Sequence, residues 1–147
     1  MARPRVHLAA SLGLSALVWF RGRRALPALA PLVSGFLVDA DHLVDYWLFR
    51  SRPARQRQIF LPAHGWEYVA LLAIIESRWL GRWTGRSLTL GLLAHLLIDQ
   101  ATNSPRHPLT YSAIFRAASG FPGDIFGGES GDHSWRATPA WQLWRWL

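Results

Sequence analysis

Histidine and carboxylate side chains, which bind divalent metals and move protons in proteins, occur in this chain inside otherwise apolar stretches. Four short segments carry them: Val6-His7-Leu8, Asp39-Ala40-Asp41-His42, His64-Gly65-Trp66-Glu67 and His95-Leu96-Leu97-Ile98-Asp99. A buried imidazole or charge is costly unless something pairs with it. The simplest arrangement that pairs all four segments at once is a shared divalent metal ion.

His95 and Asp99 lie four residues apart in the most clearly helical part of the chain, Leu88 to Gln100. Residues at this spacing share one face of a helix, where they can bind one ion or pair with each other. Leucine and isoleucine cover most of the remaining surface, so this face is predicted to point into protein or lipid. A His–Asp pair that neutralises itself inside a bundle is the simpler alternative.

Three carboxylates crowd together after the second apolar stretch. Asp39, Asp41 and Asp45 fall within seven residues, directly after the run 32–38, and His42 lies among them. Carboxylates this close repel one another unless a cation lies nearby. The pattern favours a pair of divalent metal ions bridged by carboxylate, and a solvated helix end is the alternative.

His64 opens the third apolar segment after Pro62, and Glu67 follows one turn later on the same side. Glu67 could orient His64, bind the metal itself, or act as the general base that takes a proton from the attacking water. Asp41 is the second candidate for that base. His7 is unremarkable alone, and it becomes a candidate ligand only because the other three segments need partners.

The chain contains no cysteine, so thiolate metal sites, disulfides and cysteine nucleophiles are excluded. A metal centre must therefore use His, Asp and Glu, which suits zinc, manganese or iron. Zinc is the first expectation. The sequence shows no glycine-rich phosphate loop and no nucleophile elbow, so no motif indicates another hydrolytic chemistry.

The elements that must position these residues are predicted to be helices. Apolar periodicity and the proline and glycine positions predict an all-α protein, in which four main helices form a bundle before an irregular, Pro/Gly-rich C-terminal third. The four main helices are predicted at about Val6–Phe20, Pro27 or Pro31 to Phe49, Ala63–Trp79 and Ser87–Thr102. A basic loop is predicted at Arg50–Gln58, a break at Gly81–Gly85, and a short helix around Tyr111–Ala118. The 147 residues are expected to form one domain, with its core at about 5–110 and the irregular region at about 103–147.

Arginine and tryptophan indicate a membrane interface. All 16 basic residues are arginines, and with nine acidic residues they give a formal charge of +7. The chain also contains nine tryptophans. The arginines cluster at the ends of the apolar segments, and arginine beside tryptophan is typical of the headgroup level of a bilayer. No run of about 18 uncharged apolar residues exists, so no simple spanning helix is predicted. We expect a protein embedded in or bound to a membrane, with the tail Trp141, Trp144 and Trp146 on the bilayer or capping the fold; a soluble hydrophobic helical domain is the alternative.

Taken together, the four segments resemble the YdjM-like family of membrane-bound metal-dependent hydrolases. The resemblance lies in an N-terminal His7, Asp39-Ala40-Asp41-His42 ending a second apolar segment, His64 opening a third, and His95 with Asp99 on a fourth. The order and approximate spacing are also similar to the zinc-dependent phospholipase C and single-strand nuclease superfamily, which are all-α proteins with clustered zinc ions. The resemblance covers roughly residues 5–110.

This resemblance implies a main metal site made of Asp39, His64, His95 and Asp99, with His7, Asp41 and His42 near a second ion. Where the YdjM-like pattern carries a further histidine in its third segment, this chain has Glu67. The implied activity is hydrolysis of a phosphoester or lipid ester at a bacterial inner membrane, whose anionic headgroups an arginine-rich interface would gather.

Two other classes of protein follow from the residues alone. A non-catalytic membrane protein could use its buried acids and histidines as a structural network or to handle ions or protons. A nucleic-acid-binding domain is disfavoured, because the arginines form scattered clusters and no continuous basic stripe. The expected partners are therefore membrane lipid and a small-molecule or lipid ester.

Overall fold

The computed structural model describes residues 4–49, 58–103 and 105–126. The predicted all-α fold is confirmed, because these residues form helices and no strand beyond one isolated bridge between Gln58 and Pro122. The helices are α1 Pro4–Gly22, α2 Ala25–Gly35, α3 Asp41–Phe49, α4 Trp66–Ile75, α5 Gly81–Thr84, α6 Ser87–Thr102 and α7 Ala113–Ala118. The aromatic tail and most of the basic loop lie outside the described residues.

Helix α6 is the centre of the bundle, since it packs against α1, α2 and α4, and α1 also packs against α2. Only two residues separate α1 from α2, and a connection this short makes neighbouring helices antiparallel. Helices α4 and α6 also run in opposite directions, because His64 before α4 contacts His95 and Glu76 after α4 contacts Thr89. The four long helices therefore alternate in direction along the chain.

Two glycines bring the backbones of α2 and α6 into contact. A Cβ atom on Gly91 would lie 2.9 Å from Pro31 Cα and would also meet Ser34 Oγ, and one on Gly35 would lie 2.9 Å from the Gly91 carbonyl oxygen. The same crossing places the Gly35 carbonyl oxygen 2.8 Å from Nδ1 of His95. The packing of the two helices thus orients a candidate metal ligand.

Gly91→Ala is expected to lower the free energy of unfolding by about 1–3 kcal/mol, because the backbone of α2 cannot yield to an added methyl group. Gly13→Ala is the matched control, since Gly13 is exposed within α1 and an added Cβ would meet nothing within 4 Å. There, alanine should stabilise the protein by up to about 1 kcal/mol. Urea unfolding measures both changes, and equal stability of the two variants would contradict the close crossing.

The predicted second helix, from Pro27 or Pro31 to Phe49, is wrong as a single element. The chain leaves α2 after Gly35, forms a 3₁₀ turn over Leu37–Ala40, and restarts as α3 at Asp41. Glycine weakens a helix at this point, and the Asp39 N–H donates to the Phe36 carbonyl, which leaves the Gly35 carbonyl for His95. The interruption separates Asp39 from Asp41, so the two carboxylates meet opposite nitrogens of the His64 ring, Nε2 and Nδ1.

The other boundaries follow the prediction with shifts. Helix α4 begins at Trp66, which leaves His64 in the preceding turn, and a π-helical turn, Glu76–Leu80, leads into α5. The predicted break at Gly81–Gly85 is largely helical; the chain reverses only at Gly85 and Arg86, whose φ angles are 59° and 67°. The short helix expected near Tyr111 is present as α7.

Large apolar side chains remain exposed on most helices. They include Val6, Leu12, Leu17 and Phe20 on α1, Leu26, Leu29 and Val33 on α2, Trp47 on α3, Leu71 and Ile74 on α4, and Leu90 and Leu97 on α6. Within the described ranges, no helix has both the length and the hydropathy that crossing a membrane requires.

Candidate metal centre

Four side chains meet between α2, α4 and α6: Asp39, His64, His95 and Asp99. Nε2 of His64 lies 2.9 Å from Nε2 of His95. Both nitrogens lie 3.5 Å from Oδ1 of Asp39. Oδ2 of Asp99 lies 3.5 Å from the His64 nitrogen and 3.4 Å from the His95 nitrogen. The structure therefore brings together the four residues implied as the main metal site.

The spacing of these atoms matches a first coordination sphere. A tetrahedral zinc ion with bonds of about 2.0–2.1 Å holds neighbouring ligand atoms about 3.3–3.4 Å apart. The four nitrogen–oxygen distances are 3.4–3.5 Å, and the nitrogen–nitrogen distance is somewhat shorter. An ion held by both Nε2 atoms could therefore also contact Asp39 or Asp99 with little movement of the side chains.

Both histidines have an oxygen acceptor at Nδ1 and direct Nε2 to this point. Nδ1 of His95 faces the Gly35 carbonyl oxygen at 2.8 Å, and Nδ1 of His64 faces Oδ2 of Asp41 at 2.9 Å. Since a carbonyl or carboxylate oxygen only accepts hydrogen bonds, each Nδ1 carries the proton in the neutral imidazole and each Nε2 has a free lone pair. Such a partner on the far nitrogen is typical of metal-bound histidine.

Contacts to the second carboxylate oxygen of Asp99, Oδ1, hold this side chain in place. Oδ1 accepts a hydrogen bond from Nδ2 of Asn103 at 2.9 Å and lies 3.2 Å from Nε2 of His7. Asn103 also donates to the Tyr111 hydroxyl, and the His7 ring stacks on the His95 ring at 3.9 Å. His7 therefore lies beside the four central residues and orients Asp99.

Asp41 and His42 form the opposite wall of the site. Oδ2 of Asp41 accepts hydrogen bonds from the Ala63 N–H and His64 Nδ1, and Oδ1 lies 3.1 Å from Nδ1 of His42. Nδ1 of His42 is 3.9 Å from Asp39 Oδ1. The three residues implied near a second ion, His7, Asp41 and His42, thus all lie next to the main four.

Glu67 lies elsewhere. Its carboxylate accepts hydrogen bonds from the Ser112 hydroxyl and from the Ala113 and Ile114 N–H groups at the start of α7. Burial raises the pKa of Glu67, but these hydrogen bonds outweigh it and hold the pKa below its usual range. Glu67 is absent from the three His/Asp groups of the described residues that could hold a metal ion.

The electrostatics of the cluster favour a cation at its centre. Burial lowers the pKa of His64, but hydrogen bonds to Asp39 and Asp41 and the charges of Asp41 and Asp99 raise it to about 10. Burial raises the pKa values of those three aspartates, and their contacts with the histidines hold all three below the usual range. At neutral pH and without a bound metal, three ionised carboxylates thus surround a doubly protonated His64 imidazole, and a divalent ion would take the place of its Nε2 proton.

The residues fit a divalent metal ion. Three groups have ligand atoms close enough to bind one: Asp39 with His64 and His95, His7 with His95 and Asp99, and Asp41 with His42 and His64. Within the described part of the chain, Oδ2 of Asp39 is buried and has no hydrogen-bond partner. A buried acceptor oxygen beside the cluster is one that a metal ion could use.

Arg116 on α7 is a site residue that the sequence analysis missed. It is buried, and its Nη2 donates to the carbonyl oxygens of Leu61, at 3.0 Å, and of His64. It therefore holds the turn that presents His64. Asn103 and Tyr111 were also missed, because nothing in their local sequence separates them from other polar residues.

Comparisons with protein-family models, with curated proteins and with solved structures found no match for this chain. The function is therefore argued from the geometry of the site.

Proposed function

We propose that this chain is a metal-dependent hydrolase that acts at a membrane surface on a phosphoester or lipid ester. The observation that carries the proposal is the pair of Nε2 atoms, 2.9 Å apart, of His64 and His95. If both imidazoles are neutral, their lone pairs repel at this distance, so the pair needs either a proton shared between the two nitrogens or a metal ion beside them. The two carboxylates that face the same point favour a divalent ion. Asp39, His64, His95 and Asp99 would hold the ion.

A bound zinc ion would polarise an ester oxygen and lower the pKa of water to about 7. The chain's own part is to fix the ligands and exclude water from most of the site. The side chains of His7, Asp41, His64, His95 and Asp99 are at most 7 % exposed, whereas those of Asp39 and His42 are 15 % and 21 % exposed. Substrate would therefore enter on the side of Asp39 and His42.

His42 is the proton acceptor that this geometry supports best. Its Nδ1 points at Asp41 Oδ1, so Nε2 is left to accept a proton from the attacking water. Asp41 would then stabilise the imidazolium of His42 while it orients His64, as the carboxylate does in an Asp–His dyad. Glu67, the first candidate from the sequence, is instead engaged with α7.

Two variants separate these roles. His42→Asn should keep the metal and lower the hydrolysis of a nitrophenyl phosphodiester or carboxylic ester at least about 100-fold, the usual minimum for a lost general base. Glu67→Gln, the matched control, should keep both metal and activity. Steady-state rates are measured together with metal content.

Full activity in His42→Asn would overturn the role of His42. Loss of activity with retained metal in Glu67→Gln would restore Glu67 as the base. A wild-type protein that holds metal but hydrolyses no ester of any class would overturn the hydrolase itself.

A non-catalytic, metal-stabilised membrane protein is the second candidate function. Four protein ligands at tetrahedral spacing are typical of closed structural zinc sites, whereas catalytic sites keep one position for water or substrate. The four donor atoms described above favour this candidate. The ester assay distinguishes the two, because only the hydrolase predicts turnover.

A further inference from the structure

Arginines gather at the end of the bundle away from the metal centre. Helix α1 starts near His7 and ends at Arg21–Gly22, α2 starts after Arg24, and α6 starts after Arg86. Arg78 and Arg82 follow α4 at the same end. Arg78, Arg82 and Arg86 line a cleft of about 710 Å³, here called the basic cleft, together with Trp79 and Glu76.

The positive charge of the basic cleft is not neutralised within the described residues. All ion pairs among the described residues involve histidine, and none involves an arginine. Glu76 is the acid in the lining, but it is fully buried and accepts hydrogen bonds from the Leu88 and Thr89 N–H groups and the Thr89 hydroxyl. Its charge therefore stabilises the start of α6, and the three arginines that line the cleft have no ion-pair partner among the described residues.

Arg82, one of the three arginines, is held in position before any ligand binds. The Arg82 guanidinium lies over the Trp83 ring, 4.9 Å from its centroid. The Arg82 carbonyl oxygen accepts a hydrogen bond of 2.6 Å from Nη2 of Arg24, which ties the start of α2 to this segment. Pre-organisation of this kind lowers the entropy lost when a ligand binds.

Exposed aromatic rings surround the same end of the bundle. Trp19 and Phe20 lie at the end of α1, and Trp79 and Trp83 lie beside the cleft; Phe20 and Trp79 are each 67 % exposed. Aromatic rings among arginines are typical of the headgroup level of a membrane. They favour a lipid as the source of whatever anion enters the cleft.

We propose that the basic cleft binds a phosphate group, supplied by the headgroup of an anionic phospholipid. The planar guanidinium groups match phosphate oxygens in bidentate pairs. Arg86 and His95 are nine residues apart, which is about 14 Å along the axis of α6. The basic cleft is therefore separate from the metal centre. The lipid source rests on the membrane association in the proposed function, whereas phosphate binding does not depend on the metal.

Co-sedimentation with phosphatidylglycerol–phosphatidylcholine vesicles tests the proposal. The double variant of the cleft, Arg78→Gln/Arg82→Gln (the cleft pair), is compared with a control double variant, Arg5→Gln/Arg106→Gln (the control pair). Both pairs remove two exposed arginines and lower the formal charge from +7 to +5. The cleft pair should weaken vesicle binding by about tenfold or more, and the control pair by less than about threefold. Soluble glycerol phosphate should compete with the vesicles, and circular dichroism confirms that both variants fold.

Equal weakening by the two pairs would overturn the site, because only overall charge would then matter. Binding of glycerol phosphate without vesicle binding would overturn the lipid source. Arg78→Lys/Arg82→Lys provides a second readout, since unimpaired vesicle binding there would contradict bidentate recognition. The cleft pair should retain metal and ester hydrolysis, and His95→Ala should still bind vesicles, so failure of this site and failure of the hydrolase are distinguishable.

Discussion

His95→Ala is expected to lower zinc affinity more than about 100-fold. Mutating a residue that only hydrogen-bonds to a metal ligand already costs about 10–100-fold, and the loss of a ligand itself should cost more. His95 presents Nε2 to His64, Asp39 and Asp99 at 2.9–3.5 Å, and its other nitrogen is fixed by the Gly35 carbonyl. Ester hydrolysis should fall to background. Competition with a chromophoric chelator measures the affinity.

His107→Ala is the matched control for this loss. His107 stacks on Phe115 with ring centroids 4.5 Å apart, and its Nδ1 accepts a hydrogen bond from the Leu109 N–H. It makes no contact with the four central residues in the described structure, so its removal should leave zinc affinity unchanged. Wild-type affinity in His95→Ala would contradict the proposed ligand set.

Arg116→Met is expected to lower the free energy of unfolding by about 2–6 kcal/mol, because it leaves two carbonyl groups without their donor, at about 1–3 kcal/mol each. Those carbonyls belong to Leu61 and His64, in the turn that sets the position of the His64 ring. Metal affinity should therefore fall together with stability. Urea unfolding with and without zinc measures both effects.

Arg106→Met is the control for Arg116, since Arg106 is exposed and surface substitutions usually change stability by less than about 0.5 kcal/mol. Arg116→Lys keeps the charge but has a single donor group, and its loss of stability should be intermediate. An Arg116→Met protein with the stability and zinc affinity of the wild type would show that the turn at His64 does not depend on this contact.

The convergence of Asp39, His64, His95 and Asp99 could be predicted from the sequence because each lies on an apolar segment, where a charged or imidazole group needs a partner. Local spacing also predicted α1, α6 and α7 closely. Glu67 was different: its partners are N–H groups of α7, more than 40 residues away. Spacing within one segment carries no information on such a contact.

Two other features depend on tertiary packing in the same way. The interruption after α2 is linked to the contact of Gly35 with Gly91 and His95, which belong to another helix. Arg116 resembles any other arginine in the sequence, and only the fold places its guanidinium under the turn at His64. Candidate metal ligands can thus be recognised from the sequence by residue type. The residues that orient them cannot, because their contacts depend on which helices pack together.

The metal content of the wild-type protein, purified without added metal, tests the central claim most directly. Elemental analysis should find about one divalent ion per chain, with zinc expected first, and X-ray absorption should report two imidazole nitrogens and two carboxylate oxygens at about 2.0–2.2 Å. A protein that contains no metal, and whose melting temperature does not change when zinc is added, would contradict the account.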